Sequence, residues 1–259
     1  MLNSFMLIES LSYDRDIQQN SLKNLTLEKA YGHSCYFINR DGLIITVLQY
    51  PNRIVPYGIV CGESEFEILR NQKRVSLVIT GGRAVSLNLP DEVNIPAASA
   101  GRVLEMWERC YDDFKVFLNS AITNGEFGKL VGLGSGLTPA GDDFLVGYIA
   151  SREILGKKIP FEIDCSRTTK LSGHILSNAL RGKFSSAVID FLKSGDTALL
   201  SFGKTSGVAT ALGVLKGMGL AGGEYGVSRR PYLCGKGEVL VDDGVTKTAL
   251  DCMRKIKWE

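Results

Sequence analysis

Residues 132–147 read GLGSGLTPAGDDFLVG, and this stretch sets the character of the half of the chain around it. Gly132, Gly134 and Gly136 alternate with other residues. Such a run permits backbone angles closed to other side chains and gathers several N–H groups in one place. Thr138-Pro139 then has the form of a helix start. Threonine is a good N-cap, and proline is tolerated at the first helical position because no donor is needed there. The pattern predicts a helix from Thr138 through FLVGYIASREIL to Gly156. A loop of amides leading into a helix N-terminus is a general recipe for holding an anion.

The adjacent carboxylates, Asp142 and Asp143, need a separate account. They fall in or just after the first turn, where the positive end of the helix dipole favours negative charge. Neighbouring helical residues point about 100° apart, so the two cannot face one small ligand in the same way. One reading has one aspartate capping backbone amides and the other solvated. The other has one facing a pocket, binding a ligand N–H or a divalent cation, with Mg²⁺ the candidate. A ligand suited to loop and carboxylate together is a metal-bound phosphate, or a molecule with an amide beside a carboxylate. The stretch is no P-loop, because the Lys-Ser/Thr ending is absent and Pro139 stands where donors belong. Nor is Gly132-Leu133-Gly134 a dinucleotide fingerprint, since no βαβ alternation surrounds it.

Outward from this motif the chain divides. On the N-terminal side, residues 1–95 read mainly as β. CYFINRDGLIITVLQY carries β-branched and aromatic runs around a turn at Asp41-Gly42, a hairpin signal. YGIVCG, FEIL, VSLVITGG and AVSLNL follow as short strand-like runs, suggesting an antiparallel sheet or a barrel-like module. LPDEVNIPAASAG is the linker candidate. Residues 96–259 read as mainly helical and carry the expected ligand site, so the fold class expected is α+β.

In that second region, Val103, Trp107, Cys110, Phe114, Phe117 and Ala121 recur at helical spacing up to a stop at Asn124-Gly125. Another helix is expected over 168–192, with Leu171, Ile175, Leu176, Ala179 and Leu180 on one side and Gly182 as a weak point. A further helix begins near Ser206, rich in alanine and glycine that favour close helix approach. In the tail, GEVLVDDG reads as a strand and turn, and TALDCMRKIKW as a short helix.

FGKTSGVATALG repeats the chemistry of the first motif. Lys204, Thr205, Ser206 and Gly207 stand at another helix start, either as a simple N-cap or as the opposite wall of the same pocket. Weaker candidates are Arg229-Arg230 and the polar residues Arg167, Thr168, Thr169, Ser172 and Asn178, for most of which capping and surface roles suffice.

Composition removes several classes of function. The 259 residues carry 30 basic and 28 acidic side chains, for a formal net charge of +2. That balance offers no electrostatic reason for a nucleic-acid or membrane-surface partner. No apolar run is long enough to span a bilayer, and the N-terminus lacks the basic and apolar regions of a signal peptide. The six cysteines are scattered without a C-x-x-C pair, the usage of reduced thiols, and a cytoplasmic setting is expected. The two histidines, His33 and His174, leave little material for a His-based metal site or a Ser-His-Asp triad.

GLGSGLTPAGDDFLVG resembles a known family: the domain-of-unknown-function family associated with the AllH subunit of oxamate carbamoyltransferase. Its signature is close to G-x-G-x-G-L-T-P-x-G-D-D-F-x-x-G, which residues 132–147 match throughout. The resemblance extends to TTKLSGHILSNALRGKF, to GKTSGVATALG and to the early FINRDGLIITVLQ. It reaches about residue 222 and leaves 223–259 unmatched. It implies a role in late purine-nitrogen (allantoin) catabolism, in an enzyme interconverting oxalurate plus phosphate with oxamate plus carbamoyl phosphate, together with FdrA-like partner subunits. The family's later motif is of a G-H-T-S-G-x-D type, whereas this chain has Lys204 at the histidine position and Ala209 at the aspartate position. That departure puts another substrate, or loss of activity, among the outcomes.

Taken with the resemblance, the residues expected to act are Asp142 and Asp143 in catalysis, holding a substrate N–H or a metal. Gly134, Ser135, Gly136, Thr138 and Gly141 are expected to bind substrate from the first loop, and Lys204, Thr205, Ser206 and Gly207 from the second. The ligand expected is a small anion with an amide or carbamoyl group. Two other functions fit the same residues: a non-catalytic interaction or regulatory subunit, and a stand-alone metal-dependent phosphate enzyme.

Overall fold

Among the described residues, seven strands and seven α-helices follow one another in two compact units. The structure, a computed structural model, describes residues 5–110 and 114–220. The strand and helix expected in GEVLVDDG and TALDCMRKIKW, and Arg229-Arg230, lie outside the described residues. Of the described residues, one unit takes in those up to Asn88 together with Lys183–Ala187, and the other takes in the rest.

The first unit is a barrel. Its strands are β1 (Phe5–Asp14), β2 (Leu25–Ala30), β3 (Ser34–Ile38), β4 (Ile44–Gln49), β5 (Gly58–Cys61), β6 (Arg74–Thr80) and β7 (Arg83–Val85). They hydrogen-bond in the order β5-β4-β3-β2-β6-β1-β7, and β5 also pairs with β1, which closes the ring. Closure removes the unpaired edges that an open sheet exposes. β1 does this by serving three partners. Phe5–Glu9 run parallel to β6, Ser10–Tyr13 antiparallel to β5, and Ser12–Asp14 parallel to β7. An irregular register between Ser10 and Ser12 marks the change. Period-two alternation points Cys35 and Phe37 of β3 inward, where they meet Ile8, Ile45, Val47, Ile59, Val75 and Leu77.

Two expectations change here. The sheet is mixed rather than antiparallel, because β4 and β5 also run parallel. FEIL is no strand: it belongs to α1 (Glu63–Leu69), which buries Phe66 and Leu69 and starts with Glu63 and Glu65 in its first turn. The i, i+3 spacing of Phe66 and Leu69 on one helical face, and the acidic first turn, outweigh the strand preference of four residues. The hairpin at Asp41-Gly42 joins β3 to β4 as expected, with Gly42 at φ +80° and Asn39 Oδ1 accepting from the amides of Asp41 and Leu43.

The second unit is helical: α2 (Ala97–Arg109), α3 (Phe114–Thr123), α4 (Ala140–Ile154), α5 (Lys170–Ala179), α6 (Ser186–Ser194, whose first two residues belong to the barrel unit) and α7 (Ser206–Met218). The single helix expected from Val103 to Ala121 is two. Cys110 is extended (φ −65°, ψ 115°), so the periodicity does not carry across it. Phe117 is consequently 65% exposed, while Leu118, Ala121 and Ile122 are buried. The helix expected over 168–192 is likewise divided at Gly182, where φ is +75°; Leu180 at its end is exposed.

α4 and α7 form the centre of this unit. Every residue of α4 from Ala140 to Ser151 is buried, as are most of α7, the signature of helices surrounded by protein on all sides. They run in the same direction in close contact. A Cβ on Gly147 would stand 1.9 Å from the Thr210 carbonyl oxygen, and one on Gly213 would stand 2.0 Å from that of Phe144. Only glycine at these two positions allows the backbones this near. Ser151 ties the pair further, donating to the carbonyl of Val214 at 2.8 Å. Elsewhere on α4, Phe144 and Tyr148 stack with Phe127, whose ring also stacks on Phe161. The parallel arrangement brings both helix N-termini to one end.

Candidate functional site at the paired helix N-termini

At that end the two glycine-containing loops meet. The hydroxyls of Thr138 and Ser206 are 3.2 Å apart. Pro139, with φ −55° and ψ 140°, is the N-cap residue of α4, so helix α4 begins one residue later than Thr138-Pro139 suggests. Thr138 makes no cap and reaches α7 instead.

The first loop takes its path from its glycines. Gly132, Gly134 and Gly136 all have positive φ, at 77°, 115° and 94°. A Cβ on Gly132 would be 2.5 Å from the Arg167 carbonyl oxygen, and one on Gly134 would be 2.8 Å from the Ala140 nitrogen, whereas Gly136 faces open space. Gly141 packs under the loop: its amide donates to Leu133 O, and its Cα faces Leu130 O, which a Cβ would approach to 2.2 Å. The amides of Asp142 and Asp143 both donate to the Pro139 carbonyl. These bonds use most of the donors that a helix N-terminus would offer an anion. Gly134, Ser135 and Gly136 are exposed, and among the described residues none accepts a hydrogen bond from their amides.

The two aspartates occupy different surroundings. Asp142 is 1% exposed and fully engaged. Its Oδ1 accepts from the Gly132 amide at 2.8 Å, and its Oδ2 accepts from Ser172 Oγ at 2.7 Å and from Thr168 Oγ1. Thr169, the N-cap of α5, donates to the Leu137 carbonyl and accepts from the Ser172 amide. The start of α5 thus clamps the loop from behind through residues that sequence reasoning placed only among weaker candidates. Their signal was present in the hydroxyl-rich TTKLS preceding a helix.

Asp143 is 8% exposed, and its Oδ2 is buried with no hydrogen-bond partner. Burial drives its pKa up from 3.8 to about 7, the neighbouring charge of Asp142 adds to the rise, and the hydroxyls of Ser206 and Thr138 oppose it. A carboxyl group in this state changes charge near neutrality and has an acceptor position to offer. On the other loop Gly207 packs as Gly141 does: a Cβ there would meet the Leu199 carbonyl oxygen at 1.9 Å. Lys204 is exposed, and Thr205 is the N-cap of α7 without a side-chain capping bond. Ala209 is fully buried in the first turn of α7.

His174 is held neutral, with burial and the nearby Arg181 charge lowering its pKa to about 4. Among the described residues, no group of three or more His, Cys, Asp or Glu side chains is placed to hold a metal ion, and no helix is long and apolar enough to cross a membrane.

The site therefore belongs to a class in which two parallel helices present a buried carboxyl group, two hydroxyls and a glycine-lined loop at a common end. Residues 130–218, from the turn before the first loop to the last residues of α7, match the family described as oxamate carbamoyltransferase subunit AllH. The match contains both loops and supports the resemblance drawn from GLGSGLTPAGDDFLVG. No curated protein and no solved structure matches the chain.

Proposed function

We propose that this protein is a subunit of an enzyme transferring a carbamoyl group between oxamate or a close relative and phosphate, in allantoin catabolism, and that its paired helix N-termini bind the amide-bearing part of the ligand. The carrying observation is Asp143: a buried carboxyl oxygen without a partner, beside the Ser206 and Thr138 hydroxyls, inside the segment that matches the family.

Each group has a role that follows from its surroundings. Ionised Asp143 accepts N–H from the NH₂ of a carbamoyl or oxamate group, for which its bare Oδ2 is suited. Thr138 and Ser206 donate or accept at the edge of the same group. The exposed amides of Gly134, Ser135 and Gly136 supply donors to the oxygen on which charge gathers as the carbamoyl carbon becomes tetrahedral. Asp142 acts as a positioning residue, holding the loop to α5. The chemistry needs no covalent nucleophile: the phosphate or amide nitrogen attacks the carbamoyl carbon, and the other departs with the electron pair of its bond. FdrA-like subunits complete the enzyme in this reading.

The test is carbamoyl transfer by the assembled complex with Asp143→Asn in this chain. The amide keeps the shape and loses one acceptor, and a fall of roughly a hundredfold in turnover is expected. Undiminished transfer would leave the chain as an interaction or regulatory subunit whose partner performs the chemistry.

A further inference from the structure

One surface cleft in the helical unit lies outside the groups assigned so far. It measures about 400 Å³ and is lined by Arg102, Glu105, Met106 and Arg109 of α2, with Lys204 and Thr205 at the start of α7. Three cations stand there against one carboxylate. Arg109 is paired with Glu105 at 2.7 Å. Arg102 and Lys204 have no ion-pair partner among the described residues. Among the described residues, the lining therefore holds two positive charges without an ion-pair partner.

Thr205 adds a second, independent feature. It is the N-cap residue of α7, yet its hydroxyl makes no capping bond, although a threonine at this position ordinarily uses its oxygen in that way. Its φ of −135° and ψ of −20° are those of neither a strand nor a helix. Thr205 lines the cleft at the positive end of the α7 dipole. Its chain neighbour Ser206 meets Thr138 at the Asp143 site, so consecutive residues belong to the cationic cleft and to the carboxyl site.

We propose that this cleft binds the oxyanion end of the ligand, a phosphate or carboxylate group, through Arg102, Lys204 and the Thr205 hydroxyl. The arginine offers a planar fork suited to two oxygens, and the lysine a mobile point charge. Division of labour follows: the cleft takes negative charge, and the buried carboxyl group takes N–H donors. A site holding both ends needs them apart, because a carboxylate beside an anion is repulsive. The linking of the two ends in one ligand rests on the carbamoyl-transfer reading; the anion site itself does not. Arg102 lies outside the segment that matches the family, and its role arises only from the packing of α2 against α7.

Inorganic phosphate is the probe, titrated into the full chain at low ionic strength and followed by calorimetry. Saturable binding is expected, weakened roughly tenfold or more by Arg102→Gln and by Lys204→Gln, which each remove a charge-assisted contact. Arg102→Lys should retain part of the affinity. Arg102 and Lys204 are exposed, so these variants keep the fold, which an unchanged melting temperature without phosphate would verify. Failure of the wild-type chain to bind phosphate overturns the proposal, as does binding indifferent to both charge removals. Oxamate, titrated in parallel, separates the two readings. If phosphate binds as expected while oxamate binding ignores Asp143→Asn, the cleft stands and the amide role of Asp143 falls.

Discussion

Thr138 and Ser206, 68 positions apart in the chain, bring their hydroxyls to within 3.2 Å of each other. That contact joins the starts of two helices that run side by side in one direction, and both hydroxyls act on the Asp143 carboxyl group. The arrangement differs from a plain anion cradle in having an acid at its floor.

Asp143 should show its burial in the pH dependence of stability. Its folded pKa of about 7 lies above the ordinary 3.8. Between these values the folded chain keeps a proton that the unfolded chain has released, so stability declines as pH rises from about 4 to 7 and is level beyond. Asp143→Asn removes this cost. The variant should be more stable than wild type at pH 8, by a few kcal/mol at most, and nearly equal to it at pH 4. Denaturant melts at both pH values measure it. A variant less stable at pH 8 would show that the carboxylate is held by partners rather than left to a ligand.

Removing Asp142 should destabilise the fold. Its two oxygens accept from the Gly132 amide and from the Thr168 and Ser172 hydroxyls. Asp142→Ala leaves these buried donors unsatisfied and should cost about 3 kcal/mol or more. A lowered denaturation midpoint with an unchanged slope would confirm it. Ligand binding per folded molecule should suffer too, because the loop loses its anchor to α5.

The glycines separate into positions that need closeness and positions that need only conformation. Gly147→Ala places a methyl against the Thr210 carbonyl and forces α4 from α7, so a loss above 2 kcal/mol is expected. Gly136→Ala meets no atom within 4 Å and departs from φ +94° alone, so about 1 kcal/mol is expected. Equal melting temperatures for the two variants would contradict the close packing of the helices.

His174 gives a titration of the other sign. Its pKa is lowered from 6.5 to about 4 by burial and by Arg181. As pH falls through this interval the unfolded chain takes up a proton that the folded chain refuses, and stability is lost. His174→Asn should remove a loss on the order of 2 kcal/mol between pH 6.5 and 4. Comparing each variant with wild type keeps this slope distinct from that of Asp143, which runs oppositely in the same window.

Much of this was present in the chain itself. The hydrophobic alternation of Cys35 and Phe37, the Asp41-Gly42 turn, the start of a helix at Ser206 and the glycine loop from 132 to 136 follow from local sterics and periodicity, which act over a few residues. The matching signature also lies within one continuous stretch. Local rules misled at FEIL, where a short strand-like run served a helix, and at Cys110, where one extended residue ended a periodicity that the sequence continues into Phe117. Three things were decided by tertiary structure alone. β1 closes the barrel by pairing with β5, β6 and β7. Asp142 turns to the hydroxyls of Thr168 and Ser172 while Asp143 turns to Ser206. Arg102 and Lys204 come to line one cleft. Each joins residues distant in the chain, and no local propensity records such a meeting; it is set by which apolar faces and which glycine-thin backbones pack together when the core forms.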